Sequence, residues 1–301
     1  MAERLAPEQV PLRVTSRPER PRGRVRRWFG RLIGLLLVLA LLAGTALFTA
    51  HFLAIQRTAK EVRATALVPT ELPAKVLVVL ARPSQELEMA GTLAELDDAG
   101  AQVSLLSLTA GEAQPPDVAF AGDKLADIRT DELANAADIL GVDSVTDAGL
   151  ADGSLLGAEP AEVTGVISDA IKKSTPSIIL TVSDRTGEDG DSQAAAAYAL
   201  AAAQTDGSGV ARIWTVTRGD RELSWNSRLG HPVATEVPEP QVAVRIDDQT
   251  ATKGDVLLAH GTQSPDLADS TYPFADRLPA WAYFRFWDRE YFALAWGEPI
   301  E

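Results

Sequence analysis

Short apolar runs alternate with longer amphipathic segments over most of the chain. The first run, 76–81, is rich in Val and Leu and is bounded by polar turns, which is typical of a strand buried in a parallel sheet. Residues 86–100 place apolar side chains at helical spacing and end in Gly100, and a second apolar run follows at 103–108. These segments predict a β–α–β unit, with the loop 82–86 at the carboxyl end of its first strand.

The same alternation continues along the chain. Further strands are predicted at 177–182, 212–216 and 241–246, and further helices at 123–140, 160–174, 192–204 and 252–263. This order favours an α/β fold with a Rossmann-like, doubly wound and mostly parallel sheet. Such sheets bind ligands at the carboxyl ends of their strands, so we expect a site in the loops that follow 76–81 and 177–182.

The amino-terminal region has a different pattern. Residues 1–31 contain nine Arg and no apolar periodicity, which predicts a disordered, basic cytoplasmic tail. Residues 32–56 carry no formal charge and are long enough for one transmembrane helix across a hydrocarbon core of about 30 Å. The excess of Arg before this segment keeps the amino end in the cytoplasm. A linker over 57–74 then leads to an extracytoplasmic domain over 75–301 of a single-pass cell-membrane protein; a cleavable signal peptide is the alternative.

Composition excludes several kinds of site. The chain has no Cys, so disulfides, thiolate catalysis and cysteine-bound metals are excluded. The three histidines, His51, His231 and His260, are too far apart in sequence for an HExxH zinc motif. Residues 64–301 carry a net charge of −22, which repels phosphate backbones and argues against a nucleic-acid partner.

Three stretches carry motifs in a fixed order. They are ARPSQE at 81–86 with L-T-A-G-E at 108–112, then R-x-x-E-L and G-L-x-D-G-x-L between 129 and 155, and finally Lys253 to Gln263. These motifs resemble those of the PIG-L/LmbE family of zinc-dependent de-N-acetylases, whose first motif is A-H-P-D-D-E. The resemblance covers about residues 75–263, and the family's H-P-D-H motif falls on 189–192.

The resemblance implies that the catalytic positions have changed. The family's zinc ligands correspond to Arg82, Gln85 and Ser192, its base to Ser84, and its second histidine to Asp189. Arg has no lone pair for a cation, and neutral Gln and Ser are weak zinc ligands. We therefore expect that these positions bind no zinc, and we assign no catalytic residue. The implied function is non-catalytic binding or scaffolding at the cell envelope, with a glycan, a glycolipid or an envelope protein as partner.

A second interpretation stays open. In this interpretation the residual acids, including Glu188, bind Mg²⁺ or Ca²⁺ in an active amide hydrolase that de-N-acetylates an N-acetylglucosamine conjugate. The candidate pocket residues are Arg82, Glu86, Glu112, Asp191 and His260. Structural interpretations compete with this one: Asp189 or Asp191 caps the helix near Ser192, Glu86 binds N–H groups at its own helix start, and His260 is packed in the core.

Arg82 gives the most specific geometric prediction. Acids left behind by a lost metal need a counterion, because burying unpaired charge is costly. We predict that the guanidinium of Arg82 occupies the former metal position and pairs with Asp189 or Asp191, with Gln85 and Ser192 adding neutral hydrogen bonds. The alternative is an Arg82 side chain in solvent.

Aromatic residues are concentrated at the carboxyl end. Ten of them lie between 272 and 296. They are predicted to cover a sheet edge or to contact a partner; stacking on sugar rings is the alternative.

Overall fold

The computed structural model describes residues 22–58, 67, 74–113, 122–182, 189–229, 237–263, 267, 272, 279, 283–285 and 287–299. The helices are α1 (Arg22–Thr58), α2 (Ala90–Asp98), α3 (Asp123–Ile139), α4 (Pro160–Ser174), α5 (Gly190–Ala203), α6 (Asp220–Leu229) and α7 (Thr250–Ala259). The strands are β1 (Lys75–Leu80), β2 (Gln102–Thr109), β3 (Ser144–Leu150), β4 (Ile178–Val182), β5 (Arg212–Thr217), β6 (Val242–Arg245) and β7 (Arg289–Gly297). Short 3₁₀ turns occur at Gln85–Met89, Leu155–Gly157 and Asp247–Gln249.

The chain forms two compact units, residues 1–58 and 59–301. The first contains α1, so the last part of the tail predicted to be disordered, from Arg22 onward, is helical. Arg is a good helix former, and the apolar segment continues the same helix. Among the described residues, no helix is both long and apolar enough to cross a membrane, so the transmembrane helix predicted at 32–56 is not confirmed. Residues 1–21 and nearly all of the predicted linker lie outside the described residues.

One seven-stranded sheet organises the second unit, in the order β3-β2-β1-β4-β5-β7-β6. Strands β3, β2, β1, β4 and β5 pair in parallel, whereas β7 is antiparallel to both β5 and β6. The predicted mostly parallel α/β sheet is therefore confirmed. The order reverses at β1, whose neighbours are β2 and β4, and a crevice opens at the carboxyl ends of strands at such a point.

Alternate residues of the strands face two cores on opposite sides of the sheet. Val76, Val78 and Leu80 of β1 join the core formed with α2, α3 and α7. Leu77 and Val79 join the other core, formed with α4 and α5. Because helices cover both faces, β1 needs apolar side chains at every position, and this explains its continuous apolar run.

Three elements form where none was predicted, namely β3, α6 and β7. Strand β3 is an edge strand with most side chains at least partly exposed, so it lacks the apolar run of the inner strands. Strand β7 lies in the aromatic-rich stretch 272–296 that was interpreted as a cover. It is instead an inner strand of the sheet, with Tyr291 and Phe292 buried. Tyr283 and Phe284 do pack over a core, as the cover interpretation expects.

Candidate functional site

Most of the predicted site residues follow β1 or β4, at the carboxyl ends of these strands. The loop after β1 turns sharply into a 3₁₀ turn at Gln85–Met89, and Asp189 comes immediately before α5. Ser84, at the corner of the loop, has a left-handed backbone with φ of 75°. Few side chains adopt this conformation, which a tight turn can enforce. The fold therefore brings together two loops separated by about a hundred residues of sequence.

Arg82 and Asp189 form a two-pronged ion pair. The Arg82 Nη1 group donates to Asp189 Oδ1 at 3.1 Å, and Nη2 donates to Oδ2. The two side chains are 16% and 24% exposed, so the pair is largely shielded from solvent. The prediction that Arg82 pairs with an acid at the start of α5 is confirmed, with Asp189 as the partner.

Ser192 and Gln85 complete a closed network around the carboxylate of Asp189. The Ser192 backbone N–H donates to Asp189 Oδ1 at 3.1 Å, and the Ser192 hydroxyl donates to Oδ2 at 2.5 Å. The Gln85 amide nitrogen donates to Ser192 Oγ at 2.5 Å. Its amide oxygen accepts from the N–H groups of Ala81 at 2.8 Å and Arg82 at 3.4 Å. The predicted cap of α5 by Asp189 is thus also confirmed.

The electrostatics of the pair favour the charged form of Asp189. Burial acts to raise the pKa of this carboxyl group, but the hydrogen bonds and charge of Arg82, with the bonds from Ser192, outweigh burial and lower the pKa below its ordinary value. Asp189 is therefore a carboxylate that already has a counterion and four hydrogen bonds. A carboxylate offers about four lone-pair positions, so little capacity is left for another ligand.

Ser84, at the position of the family's base, is bonded to an amide group. Its hydroxyl donates to the amide oxygen of Gln263 at 3.0 Å. Gln263 lies in the turn after α7, because that helix ends at Ala259 and not at the predicted residue 263. The motif from Lys253 to Gln263 includes this residue, but its contact with Ser84 is seen only in the folded structure.

Glu86 and His260 form a second, fully buried pair next to this network. Glu86 Oε1 is hydrogen-bonded to His260 Nε2, and neither side chain is exposed. Burial acts to lower the pKa of His260, yet the charge and hydrogen bond of Glu86 raise it above its ordinary value. The interpretation that Glu86 binds N–H groups at its own helix start is wrong, because its partner comes from the turn after α7. His260 is packed in the core.

Glu112 and Asp191 lie in the same region but bind a different loop. Asp191 accepts from the N–H groups of Gly153 at 2.7 Å and Leu155 at 2.9 Å. Glu112 accepts from the N–H of Asp152 at 2.9 Å. Both acids therefore fix the loop between β3 and α4, and Asp191 does not pair with Arg82. A ligand-binding role for the five candidate pocket residues stays a prediction.

The residues in the crevice do not fit the zinc site that the family implies. Arg82 cannot ligate a cation, and Gln85 and Ser192 are already engaged with backbone groups and with Asp189. Within the described part of the chain, no group of three or more His, Asp or Glu side chains is placed to hold a metal ion. His231 and Glu188 lie outside that part.

Comparison with known proteins agrees with this fold. Residues 77–203 match the model of the family described as PIG-L, GlcNAc-PI de-N-acetylase. The 1D-myo-inositol 2-acetamido-2-deoxy-alpha-D-glucopyranoside deacetylase of Kineococcus radiotolerans is 28% identical to this chain over an alignment of 283 positions. The alignment covers 75% of this chain and 78% of the relative.

Two solved structures share the fold at lower sequence identity. The N,N'-diacetylchitobiose deacetylase of Pyrococcus horikoshii is 20% identical, with a TM-score of 0.56 over 76% of this chain and 86% of that one. GalB, the 4-carboxy-2-hydroxymuconate hydratase of Pseudomonas putida KT2440, is 15% identical, with a TM-score of 0.57 over 76% and 99%. Proteins with this fold therefore carry out more than one kind of chemistry. The match to the family model is what identifies the family: residues 77–203, from β1 to α5, form a PIG-L family domain.

Proposed function

We propose that this PIG-L domain has a non-catalytic binding or scaffolding role at the cell envelope, with a glycan or glycolipid as its ligand. The observation that carries the proposal is the closed network of Arg82, Gln85, Asp189 and Ser192. De-N-acetylation on zinc needs metal ligands with free lone pairs and a base that accepts a proton from water. Here those positions hold a guanidinium, an amide and two hydroxyls.

An active amide hydrolase is the second candidate. The observation that favours it is the kinship itself, because the relatives include proteins named as deacetylases of acetamido sugars. Such an enzyme would de-N-acetylate an N-acetylglucosamine conjugate by means of a non-standard metal site. Its chemistry would have to use groups other than the four that now bind one another.

Metal content and turnover, measured on the same sample, distinguish the two candidates. The purified full chain is incubated with zinc, desalted and analysed by mass spectrometry for bound metal. Amine release from an N-acetylglucosaminyl inositol and from N,N'-diacetylchitobiose is then followed. The proposal expects substoichiometric zinc, no amine release, and saturable binding of a glycan in calorimetry. Turnover, with or without one equivalent of zinc, would establish the hydrolase and refute the non-catalytic role.

We further propose that the apolar surface of α1 attaches the chain to the cell membrane. Large apolar side chains between Leu32 and Leu47 are 37–73% exposed, so this segment presents an apolar surface. The hydroxyls of Thr45 and Thr49 donate to the carbonyls four residues earlier at 2.8 Å, which suits an apolar surrounding. The full chain should sediment with lipid vesicles, whereas a chain that lacks residues 22–58 should not. Equal sedimentation of the two chains would contradict this attachment.

A further inference from the structure

We propose that the end of β1 and the start of α5 form a guanidinium-binding pocket, which the chain fills with its own Arg82. The ligand class is a planar cation with parallel N–H donors, and the receptor is the carboxylate edge of Asp189. This inference goes beyond the proposed function, because it concerns which cation the pocket accepts and holds for a catalytic or a non-catalytic domain.

The receptor is held in place by buried groups other than Arg82. Ser192, which is 1% exposed, binds both oxygens of Asp189 through its N–H and its hydroxyl. Gln85, which is 9% exposed, orients that hydroxyl by donating to it, and is itself anchored by the N–H of Ala81. This chain of bonds turns one edge of the carboxylate toward the crevice. Because the two oxygens of this edge are already oriented, a planar guanidinium can bind them through two parallel N–H donors with little loss of conformational entropy.

The same bonds make the pocket a poor site for a metal ion. A divalent cation with several oxygen ligands would have to displace Ser192 from Asp189, and it would gain only neutral groups in return. A lysine ammonium would keep the charge but reach the carboxylate as a single point, without the two parallel bonds. Geometry therefore selects a guanidinium over both alternatives.

Another Arg–Asp pair in the chain provides a matched control. Arg245 binds Asp247, two residues away, through Nε and Nη2 to a single carboxylate oxygen. The side chain of Arg245 is 58% exposed. Surface pairs of this kind contribute little to stability, and removal of Arg245 leaves no enclosed receptor.

The test is chemical rescue of the full chain with Arg82→Ala. We expect its melting temperature to lie about 3–8 °C below that of the wild type, given about 2–4 °C for each kcal/mol in a domain of this size. Guanidinium chloride, at about ten times its dissociation constant for the variant, should raise the melting temperature of the variant by about 3–6 °C relative to the change that the same concentration causes in the wild type. The wild type and Arg245→Ala should show no such gain, and zinc should not replace guanidinium.

Three results would overturn the proposal. One is an Arg82→Ala chain that responds to guanidinium no more than Arg245→Ala does. Another is a response that persists after Asp189→Asn is added, because the receptor is then altered. The third comes from Arg82→Lys, which keeps a cation in the pocket and can be measured even where Arg82→Ala does not fold. A melting temperature equal to the wild type would show that the pocket does not select the fork.

Discussion

Glu290 joins three elements of the domain, and its removal should be severely destabilising. It lies on β7, and its carboxylate accepts from the N–H groups of Gly91 at 3.0 Å and Thr92 at 2.7 Å at the start of α2. It also binds the ammonium of Lys253 on α7 at 2.5 Å. Lys253 and Glu290 are only 5% and 2% exposed. A residue outside the region matched to the family thus caps a helix inside it.

Glu290→Ala leaves a buried ammonium without its counterion and two helix N–H groups without an acceptor. Breaking a buried ion pair by removing one partner costs about 3–5 kcal/mol. Lys253 keeps contact with the rings of Tyr272 and Phe284, whose centroids are 5.5 and 5.6 Å from its nitrogen, and these faces offset a small part of the loss. We expect the free energy of unfolding to fall by about 3–5 kcal/mol, a large share of the 5–15 kcal/mol of a typical domain.

Urea unfolding followed by tryptophan fluorescence measures this loss, since Trp214 is buried in the core. The matched control is Asp169→Ala, which breaks the Lys172–Asp169 pair, whose side chains are 75% and 79% exposed; this change should cost less than about 1 kcal/mol. Adding Lys253→Met to Glu290→Gln removes both charges and should recover much of the loss. A decrease below about 1 kcal/mol for Glu290→Ala would show that β7 is not energetically tied to α2 and α7.

Backbone packing, the positions that correspond to the family's metal site and the buried imidazole each give a further expectation. Gly91→Ala places a Cβ 2.5 Å from Ile246 Cγ2, so urea unfolding should show a loss of about 1–3 kcal/mol; an unchanged midpoint would mean that α2 shifts without cost. One combined variant carries Arg82→His, Ser84→Asp, Gln85→Asp, Asp189→His and Ser192→His. It should bind one equivalent of zinc in metal analysis, and uptake no greater than wild type by the folded variant would contradict the alignment of 189–192. The pKa of His260 is raised in the folded state. Protonation of this imidazole therefore contributes its full stabilisation below the unfolded pKa of about 6.5, and the stabilisation is lost as pH rises through the pKa of the folded state. Glu86→Gln should remove the dependence of the free energy of unfolding on pH above about pH 6.5. A wild-type free energy that already does not change with pH in this range would refute this role for the pair.

Local pattern predicts the inner part of the fold well. Strands β1 and β4 are buried and apolar at nearly every position, and the buried residues of β2 and β5 are apolar apart from Ser and Thr. Strand β3 escapes prediction because an edge strand needs no such run. The place of β7 between β5 and β6 is also hidden, because periodicity reports burial and not the neighbour or direction of a strand.

The candidate site divides in the same way. The Arg82–Asp189 pair could be predicted because both loops follow strands of one sheet, and a long cation at one of them needs an acid at the other. The partner of Glu86 could not be predicted, since His260 is 174 residues away in sequence and lies beyond the end of α7. Prediction succeeded where topology alone brings groups together, and failed where tertiary packing chooses the partner.

The residues that match the family's motifs differ in their contacts from the residues at the positions of its metal site. Glu132 accepts from the N–H and hydroxyl of Thr262, both at 2.7 Å, and Arg129 donates to the carbonyl of Gly111. These buried groups hold turns together, and replacing any of them leaves an unsatisfied partner whether or not a metal is present. The positions that correspond to the family's metal site bind one another instead: the guanidinium of Arg82 pairs with Asp189, and Ser192 and Gln85 hold that carboxylate in place. No residue of this network supplies one of the turn contacts named above, so the turns that carry the PIG-L motifs can form with these groups at the centre of the site.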